Sequence, residues 1–457
     1  MPPKLSFVRL VIIATCALTA CSSEPKKNNS ESAKKWVLIR SDYTPAELKQ
    51  LCDAEIKLFT NRLDQISKNK NQIVSFADSF GELENASTDF DEHLTPLTFM
   101  YSVSTNPELR KVSQDCDSQS SQASIEVFSR RDLYNVMKAA QKNLKKHSLD
   151  ESDARLITET MKGFKLSGLE LPDDKLEKFK NLKKDMADLS TQFEGNLNNN
   201  VDTAEMTEAE MAGVPATVKS RFTKLPNGNY QVPAKATFYI AFMENASDPE
   251  ARKKMLQVYD NREAKKNTEI LQKTVHLRRE AAKLIGFKDW ADYKTYDKMA
   301  KNGKTAWDFL QSLKGKLRKS NQKDYDQLFA FKKELDPKAT KIYPWDSAYL
   351  SNQLKKKKYS VDDEVMREYF PSDYVVPKMF DIYSKLLSVK FVPVENASTW
   401  HPSVKLYEIH DEKTSELLAY FFTDLYPRDG KYGHAAAFTL RSGRELYGKY
   451  QLPIAAI

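Results

Sequence analysis

Between Thr44 and Leu387 the apolar residues recur mainly at spacings of three and four. After Thr44-Pro45-Ala46-Glu47, the residues Leu48, Cys52, Ile56, Phe59 and Leu63 form one stripe. This predicts an amphipathic helix to about Ser67, opened by a capping box with Pro at its first position. Residues 125–147 and 151–164 carry the same spacing. From Asp173, the positions Leu176, Phe179, Leu182, Met186, Leu189, Phe193 and Leu197 predict a long helix, with Asn198-Asn199-Asn200 as its stop. Ser247-Asp248-Pro249-Glu250 reads as another capping box and begins a helical stretch to about Leu284. Helices continue past Trp290, Phe309 and Leu335, and residues 363–387 are helical again.

The period changes in two places. Around Leu225-Pro226-Asn227-Gly228-Asn229 a hairpin turn joins short strands. Near the end, 404–409 and 417–422 read as strands flanking the polar turn His410-Asp411-Glu412-Lys413, and 434–440 reads as a third strand. The final residues, Gln451-Leu452-Pro453-Ile454-Ala455-Ala456-Ile457, run into an apolar segment. Chain ends are usually polar and frayed, so this one reads as a cut through the interior of a domain.

Composition sharpens the class. With 457 residues, 40% apolar and 29% charged, the chain can bury a sizeable core in two or three domains. The 13 glycines are too few for a Gly-rich all-β or phosphate-loop architecture, while 21 Tyr and 23 Phe suffice for a large aromatic core or a peptide channel. A formal charge of +8 is mild for this length. The densest basic run, Lys355-Lys356-Lys357-Lys358, reads as a solvated helix end. No nucleic-acid module accompanies it, so no nucleic-acid partner is expected.

The first residues read as a processing signal. Lys4 and Arg9 precede a short apolar run, and Leu18-Thr19-Ala20-Cys21 resembles a bacterial lipobox with Cys21 as the lipidated residue. The expected organisation is a signal peptide over 1–20, a polar tether over 21–40, a helical region over 41–245 and a second region over 246–457. The lipid anchor implies the outer membrane, facing the periplasm. An oxidising compartment permits a Cys52–Cys116 disulfide; a buried free thiol is the plain alternative, because Cys52 sits on an apolar stripe.

Several blocks carry a resemblance. They are Gly168-Leu169-Glu170-Leu171-Pro172 with Leu189-Ser190-Thr191-Gln192-Phe193, Asn267-Thr268-Glu269-Ile270-Leu271, and Leu277-Arg278-Arg279-Glu280 through Gly286-Phe287. Pro344-Trp345-Asp346, Glu368-Tyr369-Phe370-Pro371 and the segment from Tyr426 to His434 follow. In this order they resemble the thimet oligopeptidase, neurolysin and oligopeptidase A family of zinc metallopeptidases. The resemblance implies a mainly α, two-lobed fold around a deep channel, with a small antiparallel sheet near the C-terminal end, here incomplete. It implies short peptides as partners and a monomer. By strand addition, an edge strand of that sheet would pair with the substrate backbone, which places Gly433, His434 and Ala435 on the substrate-binding strand. His434 also reads as a structural histidine anchoring the loop, with Arg428 and Lys431 bracing it.

The resemblance also names chemistry that these residues do not spell out. The family hydrolyses peptide bonds with one Zn²⁺, held by two His of a His-Glu-x-x-His helix and a downstream Glu. The six histidines here are His93, His147, His276, His401, His410 and His434; no two are four apart and none precedes a Glu. His410-Asp411-Glu412 reads as a solvated turn. The chain therefore reads as stopping before the zinc-binding helix, through a fragment record, a frameshift or a real short form. No zinc and no catalytic residue are expected in it. Two functions follow: a cell-envelope zinc oligopeptidase represented by a portion without its zinc site, or a catalytically inactive peptide-binding lipoprotein or decayed gene product.

Overall fold

The structure, a computed structural model, describes residues 38–68, 75–144, 149–446 and 449–457. The expected signal peptide, Cys21 and His147 lie outside the described residues. Ile39, inside the stretch expected as tether, is buried in the first core.

The predicted stripe folds as helix α1 (Pro45–Lys68), burying Leu48, Cys52, Phe59 and Leu63. The hydroxyl of Thr44 accepts the Glu47 N–H at 3.2 Å, and Arg40 grips the Glu47 carboxylate at 2.6 and 2.8 Å. Next come α2 (Glu82–Val103), α3 (Pro107–Val127), α4 (Arg131–Asn143), α5 (Glu151–Leu166) and α6 (Asp173–Asn198). The single helix expected over 125–147 is broken between α3 and α4. Arg130 takes an extended conformation there, with its guanidinium on Asp64 at 2.7 Å and Asp132 at 2.6 Å. Cys52 of α1 and Cys116 of α3 form a disulfide with Cα atoms 6.0 Å apart.

Strands β1 (Thr203–Met206), β2 (Thr223–Lys224) and β3 (Tyr230–Pro233) form a small sheet in the order β1-β3-β2, with helix α7 (Ala216–Lys219) between β1 and β2. The predicted turn closes through Leu225 N–H to Asn229 O at 2.8 Å. Helices α8 (Ala236–Asn245) and α9 (Pro249–Asp260) complete a second core, in which Phe242 and Met243 meet Ala251 and Met255. The boundary expected at 245/246 falls inside this core. Asp248, rather than Ser247, caps α9. The helix expected to run to Leu284 stops at Asp260 and restarts as α10 (Ala264–Leu284), because Glu263 sits in the left-handed region at φ 54°.

A third core joins α6 to α10 and α11 (Trp290–Thr295). Helix α12 (Gly303–Leu335) follows, then α13 (Ser347–Tyr359), α14 (Asp363–Glu368) and α15 (Ser372–Leu387). The helix expected over 363–387 is divided at Phe370-Pro371, where the residue before Pro is driven out of the helical region.

The C-terminal sheet has strands β4 (Val389–Pro393), β5 (Lys405–Asp411), β6 (Leu417–Thr423) and β7 (Phe438–Arg441). A separate hairpin, β8 (Arg444–Leu446) with β9 (Lys449–Gln451), leads to β10 (Ile454–Ala456). The order β4-β5-β6-β10-β7 places β10 inside the sheet, parallel to β6 and antiparallel to β7. The apolar ending is thus an inner strand, with Ile454 and Ala456 buried. Two expectations are corrected. His410 lies in β5 rather than in the turn, because pairing continues to Asp411. The third strand begins at Phe438, so residues 434–437 belong to the loop before it. Val404, Leu406, Phe422, Leu440 and Ile454 share the first core with helices α1 to α5. The N-terminal helices and the C-terminal sheet therefore fold as one packed unit.

Candidate functional site: a braced loop beside an aromatic cavity

The loop from Asp424 to Ala437 leaves β6 and returns as β7. Its shape is set by Asp424, which is 6% exposed. Arg428 donates to its two carboxylate oxygens at 2.7 and 2.8 Å, Trp400 Nε1 donates at 2.8 Å, and Lys431 Nζ lies 3.1 Å away. Burial pushes the Asp424 carboxyl up, but the bonds from Arg428, Trp400 and Lys431 outweigh it and hold the group below its ordinary range. Lys431 also donates to the carbonyls of Asp424 and Tyr426 at 2.6 and 3.0 Å. Arg428 and Lys431 brace the loop.

The other anchor is the C-terminal end of α2. A helix ends with carbonyls that lack intrahelical partners and carry the negative end of its dipole. Here Val103 O accepts from Arg428 Nη2 at 2.9 Å, Ser102 O from Tyr432 N–H at 2.7 Å, and Ser104 O from Arg110 Nη1 at 2.9 Å. Gly430 is required at this junction: φ is +77°, and a Cβ would lie 2.7 Å from Ser104 O and 2.3 Å from Arg110 Nη1. Upstream, the buried hydroxyl of Ser113 donates to Leu97 O at 2.6 Å and accepts the Tyr101 N–H at 2.8 Å, fixing the last turns of α2 from α3.

Between the loop, α2 and the start of α8 lies a cavity of about 570 Å³. Phe99, Trp400 and Phe438 wall one side. The Phe99 ring meets Trp400 at 85° and Phe438 at 65°, with centroids 5.0 Å apart in both pairs. Phe238 and Tyr432 line it as well, and Lys235 reaches its rim, 3.6 Å from the exposed Asp429 carboxylate.

Gly433, His434 and Ala435 all lie on the exposed loop and line this cavity. They are not on a strand, as the sequence suggested, although the loop leads directly into β7, which is paired with β10 on one side and is the outer strand of its sheet. His434 Nδ1 lies 3.0 Å from Ala435 O. A Cβ at Gly433 would meet nothing within 4 Å. Sequence reading found the loop but missed Phe99, Lys235, Phe238 and Trp400. They come from three distant segments, and no local pattern links them.

The described histidines are dispersed. His93 lies 2.9 Å from Glu55, His276 2.8 Å from Glu280 and His410 2.9 Å from Glu408, while His401 contacts Ser403. The bond from Glu408, helped by Ser415 O, raises the His410 pKa. Among the described residues no group of three or more His, Cys, Asp or Glu could hold a metal ion.

The sequence is similar to those of several known proteins. The chain is 31% identical to the thimet-like oligopeptidase of Dictyostelium discoideum over 426 residues, covering 90% of this chain and 63% of that protein. It is 30% identical to saccharolysin of Saccharomyces cerevisiae, covering 88% of this chain and 58% of the relative. Oligopeptidase A of Escherichia coli is 28% identical, with coverage of 75% and 52%. The chain thus spans between about half and two thirds of the length of these relatives. Residues 242–457 match peptidase family M3.

Proposed function

We propose that this chain binds short, extended peptides at the loop 424–437 and the outer strand β7, as the peptide-docking portion of a cell-envelope oligopeptidase. The observation that carries this reading is the braced loop. Asp424 and the end of α2 hold Gly433, His434 and Ala435 at the mouth of a cavity, and the loop runs into an outer strand able to accept a backbone. The names of the relatives, thimet-like oligopeptidase and oligopeptidase A, point to peptides as substrates.

Family M3 uses zinc, and the described residues do not fit a zinc site. What these residues supply is docking: an outer strand β7, a braced loop and a cavity walled by aromatic side chains. The dispersed histidines also favour a second reading, in which the chain is a peptide-binding lipoprotein without catalysis.

Binding is tested with a short fluorescein-labelled peptide and the 457-residue chain, read by anisotropy. Saturable binding that weakens when prolines replace the central residues, removing backbone N–H groups, is expected. Absence of binding up to millimolar protein overturns the reading. Zinc content and cleavage of a quenched fluorogenic peptide separate the two functions: cleavage with stoichiometric zinc selects the enzyme.

The envelope location is part of the proposal. It is supported by the lipobox ending in Cys21 and by the Cys52–Cys116 disulfide, a bond that persists in oxidising compartments. Among the described residues no helix is long and apolar enough to cross a membrane. The measurement is metabolic labelling with a fatty acid followed by membrane fractionation. Cys21→Ser should abolish labelling and release the protein; unchanged fractionation overturns the anchor.

A further inference from the structure

We infer that the cavity between α2, α8 and the loop is a specificity pocket for one aromatic side chain of the bound peptide. This rests on the peptide-docking reading and adds a side-chain preference to it. The position carries the first part of the argument. Gly433, His434 and Ala435 form both the exposed surface of the loop and one wall of the cavity. A peptide backbone lying along them has a side chain that can enter. The volume, about 570 Å³, falls within the roughly 300–1,000 Å³ range of ligand clefts.

The chemistry of the walls selects the guest. Phe99, Trp400 and Phe438 present edges and faces at steep mutual angles, so an entering ring finds an edge-to-face partner in several orientations. Deep inside, Asp424 takes both Arg428 and Lys431, which leaves one net positive charge and an unpartnered Arg428 Nε. No anion is left over there for a guest ammonium. Lys235 is different. Among the described residues its ion-pair partner is the solvent-exposed Asp429 at 3.6 Å, a weak surface pair. An ammonium at the rim of an apolar cleft favours an aromatic ring over an aliphatic group, because the ring face is electron-rich.

The test uses the full chain and alanine-based labelled peptides that carry Phe, Leu, Glu or Ala at one central position. The Phe peptide should bind about tenfold tighter than the Ala peptide, with Leu between them. Thr237→Trp places a ring in the cavity from an exposed position on α8 and should bring the Phe-to-Ala ratio below about twofold. Phe238→Ala should narrow the ratio as well. It also removes packing against Phe222, so Thr237→Trp is the safer variant. Equal binding of all four peptides overturns the pocket and leaves the docking reading intact. A Glu peptide binding tightest also overturns it. If no peptide binds, docking fails, and the pocket is judged by N-acetylphenylalanine amide in saturation-transfer NMR. A signal lost in Thr237→Trp supports the pocket, and no signal in the parent chain overturns it.

Discussion

Asp346 and Asp424 are both buried carboxylates held by two cations, but their partners come from different distances along the chain. Asp346 takes Arg252 Nη2 at 2.9 Å, Lys332 Nζ at 2.5 Å and the Tyr343 N–H at 3.0 Å. Arg252 also donates to the carbonyls of Ala246, Ser247 and Trp345, so one ionic knot ties α9 to α12 and α13. Both side chains of its main pair are nearly dry, at 4% and 3% exposed. Asp424 takes Arg428 and Lys431 from its own loop, and these cations are 10% and 17% exposed beside the cavity. The same chemistry joins separate helices in one place and shapes a single loop in the other. The difference in access to water lies in the guanidiniums, since Arg252 is 4% and Arg428 10% exposed, while Lys332 at 14% and Lys431 at 17% are alike.

The largest expected effect follows from that difference. Asp346→Ala strands Arg252 without water and should lower unfolding free energy by about 3–5 kcal/mol, measured by urea titration. Asp424→Ala leaves cations that can turn toward the cavity, so the loss should be smaller, about 1–3 kcal/mol. It should also speed amide exchange at Tyr432, whose N–H is bound to Ser102 O. If the two variants lose equal stability, solvent access does not separate the knots.

Acid sharpens the comparison further. Burial raises both carboxyls, but their cations and N–H donors win, so each folded-state pKa lies below its unfolded value. The unfolded state then binds protons first as pH falls. The stabilisation is complete above about pH 4, the ordinary carboxylate value, and is lost below it as pH falls through the folded values. Urea midpoints followed from pH 7 to acid should show a flatter acid limb in Asp346→Asn and in Asp424→Asn than in the parent. A limb that both variants leave unchanged would remove these two groups as its source.

Smaller effects divide the loop itself. Gly430→Ala meets Ser104 O and Arg110 at positive φ and should lose at least about 1 kcal/mol. Gly433→Ala meets open space and should stay within about 0.5 kcal/mol of the parent in the same titration. Equal losses would mean that the loop is not pinned at the end of α2.

Much of the helical layout was legible because burial on one face imposes a three-and-four spacing. The stripe of α1 and the long helix α6 emerge where that spacing placed them, and Asn198 ends α6 as expected. Helix breaks were less legible. The interruption at Arg130 depends on Asp64, far away in sequence, and the one at Glu263 depends on a left-handed residue that carries no glycine to announce it. Spacing also says little about exposure. Helix α12 has apolar residues at helical intervals, yet Trp307, Phe309, Leu310 and Leu317 are more than half exposed, and Phe331 alone is buried.

At the site, the residues themselves determined the distinctive loop, because Asp424, Arg428, Gly430 and Lys431 are close enough in sequence to brace one another. Tertiary structure decided everything that requires distant segments to meet. It inserted Ile454–Ala456 between β6 and β7, moved the start of β7 to Phe438, and left Gly433, His434 and Ala435 on a loop. It also brought Phe99, Lys235, Phe238 and Trp400 around one cavity. Local periodicity reports which face of an element is buried. Which face of another element it meets is set by the packing of the whole chain, and that packing makes the cavity.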